Sequence, residues 1–286
     1  MISAGEYQSS LNDVQQDRIM TEEEFLRIRD YLKLRYGIDM NHKKTIVEGR
    51  LENYVRQNGY LSYSQYMDAL ESDVSGEMEK KLVDILTTNH TYFMRESEHF
   101  DYLRKEVLPW LKKKEAINKD LRIWCAASSS GEEPYTIAMV LLDYFGLEKN
   151  EWDTQILATD VSTAILTEAI RGVYTSEQIA PLPDAWKRRF FKAVPGEDCY
   201  RVTDELKCEV LYRKFNLMSP FPLKRKMHVV FLRNVLIYFD DNTKLQILKK
   251  VYDCLEPGGY LFLGKTETIN RQAVPFKLVS PAIFRK

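Results

Sequence analysis

Apolar positions change their spacing near residue 120, and the change divides the chain into two kinds of structure. Before that point they recur every three or four residues. Phe25, Ile28, Leu32 and Tyr36 form one such series, opened by Thr21 and Glu24 at capping-box spacing and closed by Gly37. A second, from about His42 to Asn58, carries Val47, Leu51, Tyr54 and Val55. A third opens at Ser62 with Gln65 as its box partner, and a fourth uses Met78, Leu82, Ile85 and Leu86. Helices this short need one another's apolar faces, so the spacing predicts a small helical bundle over 21–90. Residues 1–20 are polar and aperiodic and are expected to form a flexible tail. A further helix, with Phe100, Leu103, Val107 and Leu111 on one face, occupies a connecting region over 91–120.

From Leu121 onward, short apolar runs alternate with helical stretches, the pattern of parallel strands joined by crossover helices. The expected strands are Leu121–Ala126, Gln155–Thr159, Met227–Leu232 and Tyr260–Leu263, the last preceded by a Pro257-Gly258-Gly259 turn. Helices are expected over Pro134–Phe145, Ser162–Gly172 and Thr243–Leu255. Between about 175 and 215 the rhythm breaks. Alternation at Tyr200/Val202 and at Cys208/Val210/Tyr212 there predicts short antiparallel strands in an inserted subdomain. Phe276, Leu278, Val279 and Phe284, around Pro281, fit a closing strand pair at the sheet edge. The expected fold class is α/β: a Rossmann-like sheet over 121–286 with a small inserted antiparallel β subdomain, preceded by a small all-α domain.

Composition narrows the partners. Forty-one Lys and Arg against forty-two Asp and Glu give no bulk field favouring nucleic acid or a membrane surface. The four cysteines form no Cys-x-x-Cys pair, and the four histidines lack metal-ligand spacing. No window approaches the roughly 18 consecutive apolar residues of a membrane span. A cytoplasmic protein is expected, with no metal, no nucleic-acid partner and no direct membrane insertion.

The loop after the first expected strand reads Ala126-Ala127-Ser128-Ser129-Ser130-Gly131-Glu132-Glu133-Pro134. Small residues let a ligand approach the backbone, and strand ends of an open sheet are where such folds bind small molecules. The Gly-x-Gly-x-x-Gly fingerprint is absent, and two carboxylates stand where a pyrophosphate would meet the helix. They repel phosphate and suit a ligand with an amino group and a sulfonium, such as S-adenosylmethionine. They also complement the helix dipole with no ligand at all. Asp160 ends its strand where an acid can accept hydrogen bonds from a ribose diol, or simply cap the next helix. Arg233 and Asn234 emerge beside the same crevice, or form a solvated turn. The stretch Asn89 to Glu96 mixes amide, hydroxyl, aromatic and guanidinium groups without periodicity. That fits a segment lying across a ligand, and equally an exposed connector in which Arg95 pairs loosely with Glu98.

Five motifs stand in a telling order: Asn89-x-Thr91-x-Phe93-x-Arg95-Glu96, Gly131-Glu132-Glu133-Pro134-Tyr135, Ala158-Thr159-Asp160, Asn216-Leu217, and Arg233-Asn234-Val235-Leu236-Ile237-Tyr238-Phe239. From about residue 22 to its C-terminus the chain resembles the CheR-type chemotaxis receptor glutamate methyltransferases. The resemblance implies a class I S-adenosylmethionine-dependent methyltransferase that converts glutamate side chains of transmembrane chemoreceptors to methyl esters, releasing S-adenosylhomocysteine. It implies that Asn89, Thr91, Arg95, Glu133, Asp160, Asn216, Leu217, Arg233 and Asn234 contact the cofactor. Where many members carry Gly-x-Ser-Glu, this chain has Gly264-Lys265-Thr266-Glu267, and the roles of Lys265 and Thr266 stay open.

Arg95 and Tyr238 are expected to hold the incoming carboxylate. Lys43, Lys44, Arg50 and Arg56 are expected to dock acidic receptor segments from the helical domain. Arg50, three residues after Val47 and four before Tyr54, points toward the apolar face, where it could instead snorkel beside the core. Trp186, Arg188 and Arg189 of the inserted subdomain suit a receptor tether peptide and local packing equally. Methylation of nitrogen fits poorly, because Arg233-Asn234-Val235-Leu236 stands where an Asn/Asp-Pro-Pro-Tyr turn would fall. A non-catalytic alternative is a sensor or scaffold that binds S-adenosylmethionine without turnover.

Overall fold

The computed structural model describes residues 19–270 and 272–286, so nearly all of the expected N-terminal tail lies outside the described residues. The chain separates into two compact units. One holds the described residues up to Leu34 together with Asp39–Leu86; the other holds Arg35–Ile38 and Thr87–Lys286.

The first unit is helical: α1 (Glu22–Tyr36), α2 (Lys44–Gln57), α3 (Tyr63–Ser72) and α4 (Glu77–Leu86). The Thr21–Glu24 box forms in both directions. Thr21 Oγ1 accepts the Glu24 N–H at 3.2 Å, and the Glu24 carboxylate accepts the Thr21 N–H at 2.9 Å. Ser62 caps α3 by accepting the Gln65 N–H, but the Gln65 side chain reaches back one residue further than expected, to the N–H of Leu61. Phe25, Ile28, Leu32, Val47, Leu51, Val55, Leu82 and Leu86 are buried together with Tyr66 and Met67. Each such apolar side chain contributes roughly 1.5–3 kcal/mol of burial energy, which is what holds helices of ten to fifteen residues in place.

The second unit begins, after the linker, with a helical rod: α5 (Glu98–Tyr102), a π-pitched stretch (Leu103–Val107) and α6 (Leu108–Lys114). Pro109 lacks an N–H, so the regular ladder is broken beside it. The strands follow: β1 (Ile123–Ala126), β2 (Ile156–Asp160), β3 (Val173–Thr175), β4 (Phe191–Ala193), β5 (Cys199–Val202), β6 (Val210–Lys214), β7 (Met227–Leu232), β8 (Leu255–Leu263), β9 (Lys277–Ser280) and β10 (Ile283–Arg285). Seven of them form one sheet in the order β6-β2-β1-β7-β8-β10-β9. It is parallel from β6 to β8 and antiparallel at its β10–β9 edge, the closing pair the C-terminal pattern predicts. Between the strands run α7 (Glu132–Phe145), α8 (Thr163–Arg171), α9 (Ser176–Ile179), α10 (Asp184–Phe190), α11 (Asp204–Lys207) and α12 (Asp241–Cys254).

Two expectations need correction. The stretch around Val210 and Tyr212 is not an antiparallel strand of the insertion: β6 pairs parallel with β2, from Ile156–Val210 to Asp160–Lys214, and forms one edge of the main sheet. The alternation in sequence has no counterpart in burial: Cys208 is exposed, Glu209 is buried, and exposure rises steadily along β6 from Val210 to Lys214. The small antiparallel sheet is β3-β5-β4, over Val173–Val202. Likewise β8 starts at Leu255 and runs through the expected Pro257-Gly258-Gly259 turn, with a register shift opposite Met227–Val229 that accommodates Gly258 at φ 79°.

Beside β1 the strand order reverses direction. β2 and β6 lie to one side, β7 and β8 to the other. In an open parallel sheet this switch leaves a crevice beyond the carboxyl ends of the two central strands.

Candidate active site

The loop leaving β1 has an unusual backbone. Ala127 (φ 60°), Ser129 (φ 50°) and Gly131 (φ 102°) all take left-handed conformations, and two of the three are not glycine. Each costs on the order of 1 kcal/mol or more, and such conformers persist only where the surroundings fix them. Here the Ser128 N–H donates to the Thr159 carbonyl at 2.8 Å, the Ser129 N–H to Asp160 Oδ2 at 2.9 Å, and the Ser129 hydroxyl to the Asn89 carbonyl at 2.9 Å. A Cβ on Gly131 would press on the hydroxyls of Tyr174 and Tyr212, at 2.8 and 2.9 Å. Strand ends and linker therefore shape one loop.

Asp160 is buried at the end of β2, with Oδ1 accepting the Ser162 N–H at 3.0 Å. Its own carbonyl accepts the Phe215 N–H at 2.8 Å, which brings Asn216 and Leu217 to the same edge of the sheet. Asn216 spends its amide on the backbone, donating to the Arg35 carbonyl at 2.8 Å and accepting from the Met218 N–H at 2.9 Å. Leu217 is buried, and its carbonyl accepts from Lys250 Nζ at 2.8 Å.

Arg233 leaves β7 and turns inward. Its side chain is 1% exposed, Nη1 lies 2.7 Å from the Glu133 carboxylate and Nη2 3.3 Å from that of Glu96, and Nη2 also donates to the Arg95 carbonyl. Phe100 stacks beneath the guanidinium. Cys125, buried in β1, donates its thiol proton to Glu133; burial and then the neighbouring carboxylate push that thiol well above its ordinary value, so it stays protonated. Two carboxylates against one guanidinium leave this cluster with one net negative charge. Arg233 Nε and Ser128 Oγ are buried and find no hydrogen-bond partner among the described residues, as expected of a site that a polar ligand completes.

After Arg233 the backbone turns through Asn234 at φ 55° into a short 3-10 turn, Leu236–Tyr238. Tyr238 donates its hydroxyl to the Thr88 carbonyl at 3.2 Å, and Arg95 donates Nη1 to the His90 carbonyl at 2.8 Å, so both side chains converge on one linker. Thr91 lies half-buried in the same linker. The structure thus brings Asn89, Arg95, Glu133, Asp160, Arg233, Asn234 and Tyr238 to a single crevice, with Asn216 and Leu217 at its margin. Sequence reasoning left two carboxylates off the candidate set: Glu96, on Arg233, and Glu267, on the Asn234 turn. Both stood inside quoted motifs, and only their contacts show what they hold.

The four expected docking cations are not one patch. Six residues apart, Lys44, Arg50 and Arg56 stand roughly 120° apart around α2. Arg50 donates Nη1 to the Leu86 carbonyl at 2.9 Å, at the C-terminus of α4, where a cation suits the helix dipole. Lys43 reaches the Asp39 carbonyl, Lys44 pairs with Glu22 at 3.3 Å, and exposed Arg56 donates to Asn53.

Comparison with known proteins completes the picture. A family model described as the CheR methyltransferase all-alpha domain matches residues 23–87, and one described as the CheR methyltransferase SAM binding domain matches 89–284. The chain belongs to this family. Among its relatives, the chemotaxis protein methyltransferase of Borreliella burgdorferi is 36% identical, covering 93% of this chain and 95% of the relative. That of Escherichia coli K12 is 32% identical over 93% and 91%, and that of Salmonella typhimurium 31% over 96% and 94%. This CheR methyltransferase therefore uses S-adenosylmethionine. The residues fit a cationic sulfonium: a net negative cluster of Glu133, Glu96 and Arg233, a third acid at Asp160, and a loop of small residues between β1 and α7. Among the described residues no helix is long and apolar enough to cross a membrane.

Proposed function

We propose that this CheR-family enzyme methylates glutamate carboxylates on the cytoplasmic helical part of transmembrane chemoreceptors. The observation that carries the reading is the convergence of Arg95 and Tyr238, two hydrogen-bond donors with no negative charge of their own, on the linker beside the Arg233 cluster. Such a pair receives an anion.

S-adenosylmethionine, when bound, supplies an electrophilic methyl group on a positively charged sulfur. The acceptor needs no general base: with a pKa near 4.3, about 99.8% of a glutamate is already carboxylate at pH 7. The protein's work is alignment and exclusion of water, which can supply roughly 7–11 kcal/mol. Arg95 and Tyr238 would receive the incoming carboxylate, partnering its charge and holding it in one orientation while water is kept out. Asp160 would accept from the ribose diol of the bound cofactor, and the Glu133–Glu96–Arg233 cluster would hold its amino-acid portion. Asn89, Thr91, Asn234, Asn216 and Leu217 line the remaining walls. Arg233 serves mainly as the internal strut for the two acids. Arg50 caps α4, and Lys43, Lys44 and Arg56, which do not share one face of α2, would meet acidic receptor segments as separate contacts rather than as one patch.

The test is incubation with methyl-labelled cofactor and receptor-containing membranes. Base-labile release of labelled methanol is expected, because only an ester gives it. A protein that binds the cofactor yet releases none with any receptor is the non-catalytic sensor or scaffold instead. Charge reversal at Lys44 and Arg56 should raise the receptor KM about three- to tenfold with cofactor affinity unchanged; an unchanged KM removes the docking assignment.

A further inference from the structure

The Gly264-Lys265-Thr266-Glu267 stretch follows β8, next to the turn that carries Asn234 and Tyr238. Glu267 is 6% exposed. Its Oε2 accepts the N–H groups of Asn234 at 2.8 Å and Gly264 at 2.7 Å, and its Oε1 accepts that of Leu236 at 2.7 Å. β7 ends at Leu232 and the 3-10 turn begins at Leu236, so neither ladder nor helix supplies acceptors for these donors. Gly264 makes the room. A Cβ there would lie 2.9 Å from Asn234 Cγ and 3.0 Å from its backbone nitrogen. Glycine and glutamate together form a socket in which Asn234, at φ 55°, is held from two sides. The neighbouring Lys265 N–H approaches both Glu96 oxygens at 3.3 Å, so the same turn also touches the acid that partners Arg233.

We propose that Glu267 is a positioning residue for methyl transfer, its carboxylate fixing the Arg233–Tyr238 turn so that Asn234 meets the cofactor and Tyr238 the substrate. The proposal rests on the assignment of Asn234 and Tyr238 made above. A buried carboxylate that only stabilised the fold would be as useful to an enzyme lacking this turn. Here the hydrogen bonds of the Glu267 carboxylate go to Asn234, Leu236 and Ile237 of the turn and to the glycine that seats it, so its loss must show as misplacement of the turn.

The experiment measures S-adenosylhomocysteine affinity by calorimetry, and kcat and KM in the labelled-methyl assay, at least ten degrees below each variant's thermal midpoint. Glu267→Gln puts an amide N–H against backbone donors and should weaken S-adenosylhomocysteine binding about tenfold or more and lower kcat by a similar factor. Glu267→Asp, one methylene shorter with its charge kept, should recover part of both. Exposed Thr266→Ala should stay within twofold of wild type. If Glu267→Gln does not fold, Gly264→Ala strikes the same socket from the other side and should give the same loss. Variants that lower the thermal midpoint but keep affinity and kcat within twofold overturn the proposal and leave the cofactor assignment standing. Wild-type protein that binds no S-adenosylhomocysteine overturns both.

Discussion

The two ends of the central strands bury charge to opposite effect. Before β1 and β7, Arg122 donates Nε to the Lys226 carbonyl, pairs through Nη1 with Asp120, and reaches Glu256 through Nη2 at 3.1 Å. His228, fully buried, accepts the Arg122 N–H on Nδ1 at 3.1 Å, and its Nε2 lies 3.1 Å from Glu115 and 2.9 Å from Arg122 Nη2. Every nitrogen of Arg122 and His228 is engaged. Beyond the same strands, Arg233 holds two acids but leaves Nε without a partner, Ser128 leaves its hydroxyl, and Ala127, Ser129 and Asn234 sit at positive φ. One end uses its charges to close the sheet; the other uses similar groups to hold a backbone in conformations it would not choose. Lys119, before β1, also takes φ 50°, so it is the pairing of strained backbone with the unsatisfied Arg233 Nε and Ser128 hydroxyl that sets the far end apart as a place for a ligand.

The largest effect should come from Arg233→Ala. It removes the cation between Glu133 and Glu96 and leaves two carboxylates facing each other in a buried place. Breaking such a group costs about 3–5 kcal/mol, read as a shift in the urea midpoint, and S-adenosylhomocysteine affinity should fall at least a hundredfold. Retained affinity would mean that this end is as structural as the other.

Arg122→Ala should cost somewhat less, about 3 kcal/mol, since Asp120 also pairs with Arg225 at 2.6 Å. Here the two readouts should separate, with lower stability and S-adenosylhomocysteine affinity within twofold. A tenfold loss of affinity would show that the ends are coupled through β1 and β7 and that the contrast fails.

What the sequence made legible follows the same division. Helices with an apolar stripe and a cap, such as Glu22–Tyr36 behind Thr21, declare themselves because spacing and capping are local. The central strands do so because burial on both faces leaves an unbroken apolar run, as in Met227–Leu232. β6 is not legible because its partner β2 lies about fifty residues away, and local alternation cannot say which strand, or which direction, it joins. Within the site, motif order picked out Glu133, Asp160 and Arg233, but not that Arg233 spends itself on Glu133 and Glu96. Glu267 gave no periodic signal at all. Its function depends on backbone N–H groups of a turn thirty residues earlier, which no side-chain pattern records. Arg50 was half legible: its spacing from Val47 and Tyr54 placed it toward the core, while the α4 carbonyl it meets is a fact of packing.

The smallest effect distinguishes two histidines, one at each end. Burial first, and then a neighbouring guanidinium, pushes both down to about 4: Arg122 beside His228, Arg233 beside His99. The 3.1 Å approach of His228 to Glu115 is therefore a hydrogen bond from a neutral ring rather than an ion pair at neutral pH. Because the folded pKa lies below the unfolded value near 6.5, the unfolded chain binds protons that the folded protein refuses. Stability is full above about pH 6.5 and declines as pH falls toward 4, by at most about 1.4 kcal/mol per pH unit for each histidine. His228→Gln and His99→Gln should each remove part of that slope from urea midpoints measured between pH 7 and 4.5. Affinity for S-adenosylhomocysteine over the same range should tell them apart. Protonated His99 would set a second cation against the Glu96–Arg233 pair, 3.4 Å from Glu96, and so disturb the cluster that faces the ligand. His99→Gln should flatten the acid limb of binding, whereas His228→Gln should leave it in place. If the two variants shift that limb equally, protonation acts on the fold as a whole and the ends of the sheet do not divide their labour.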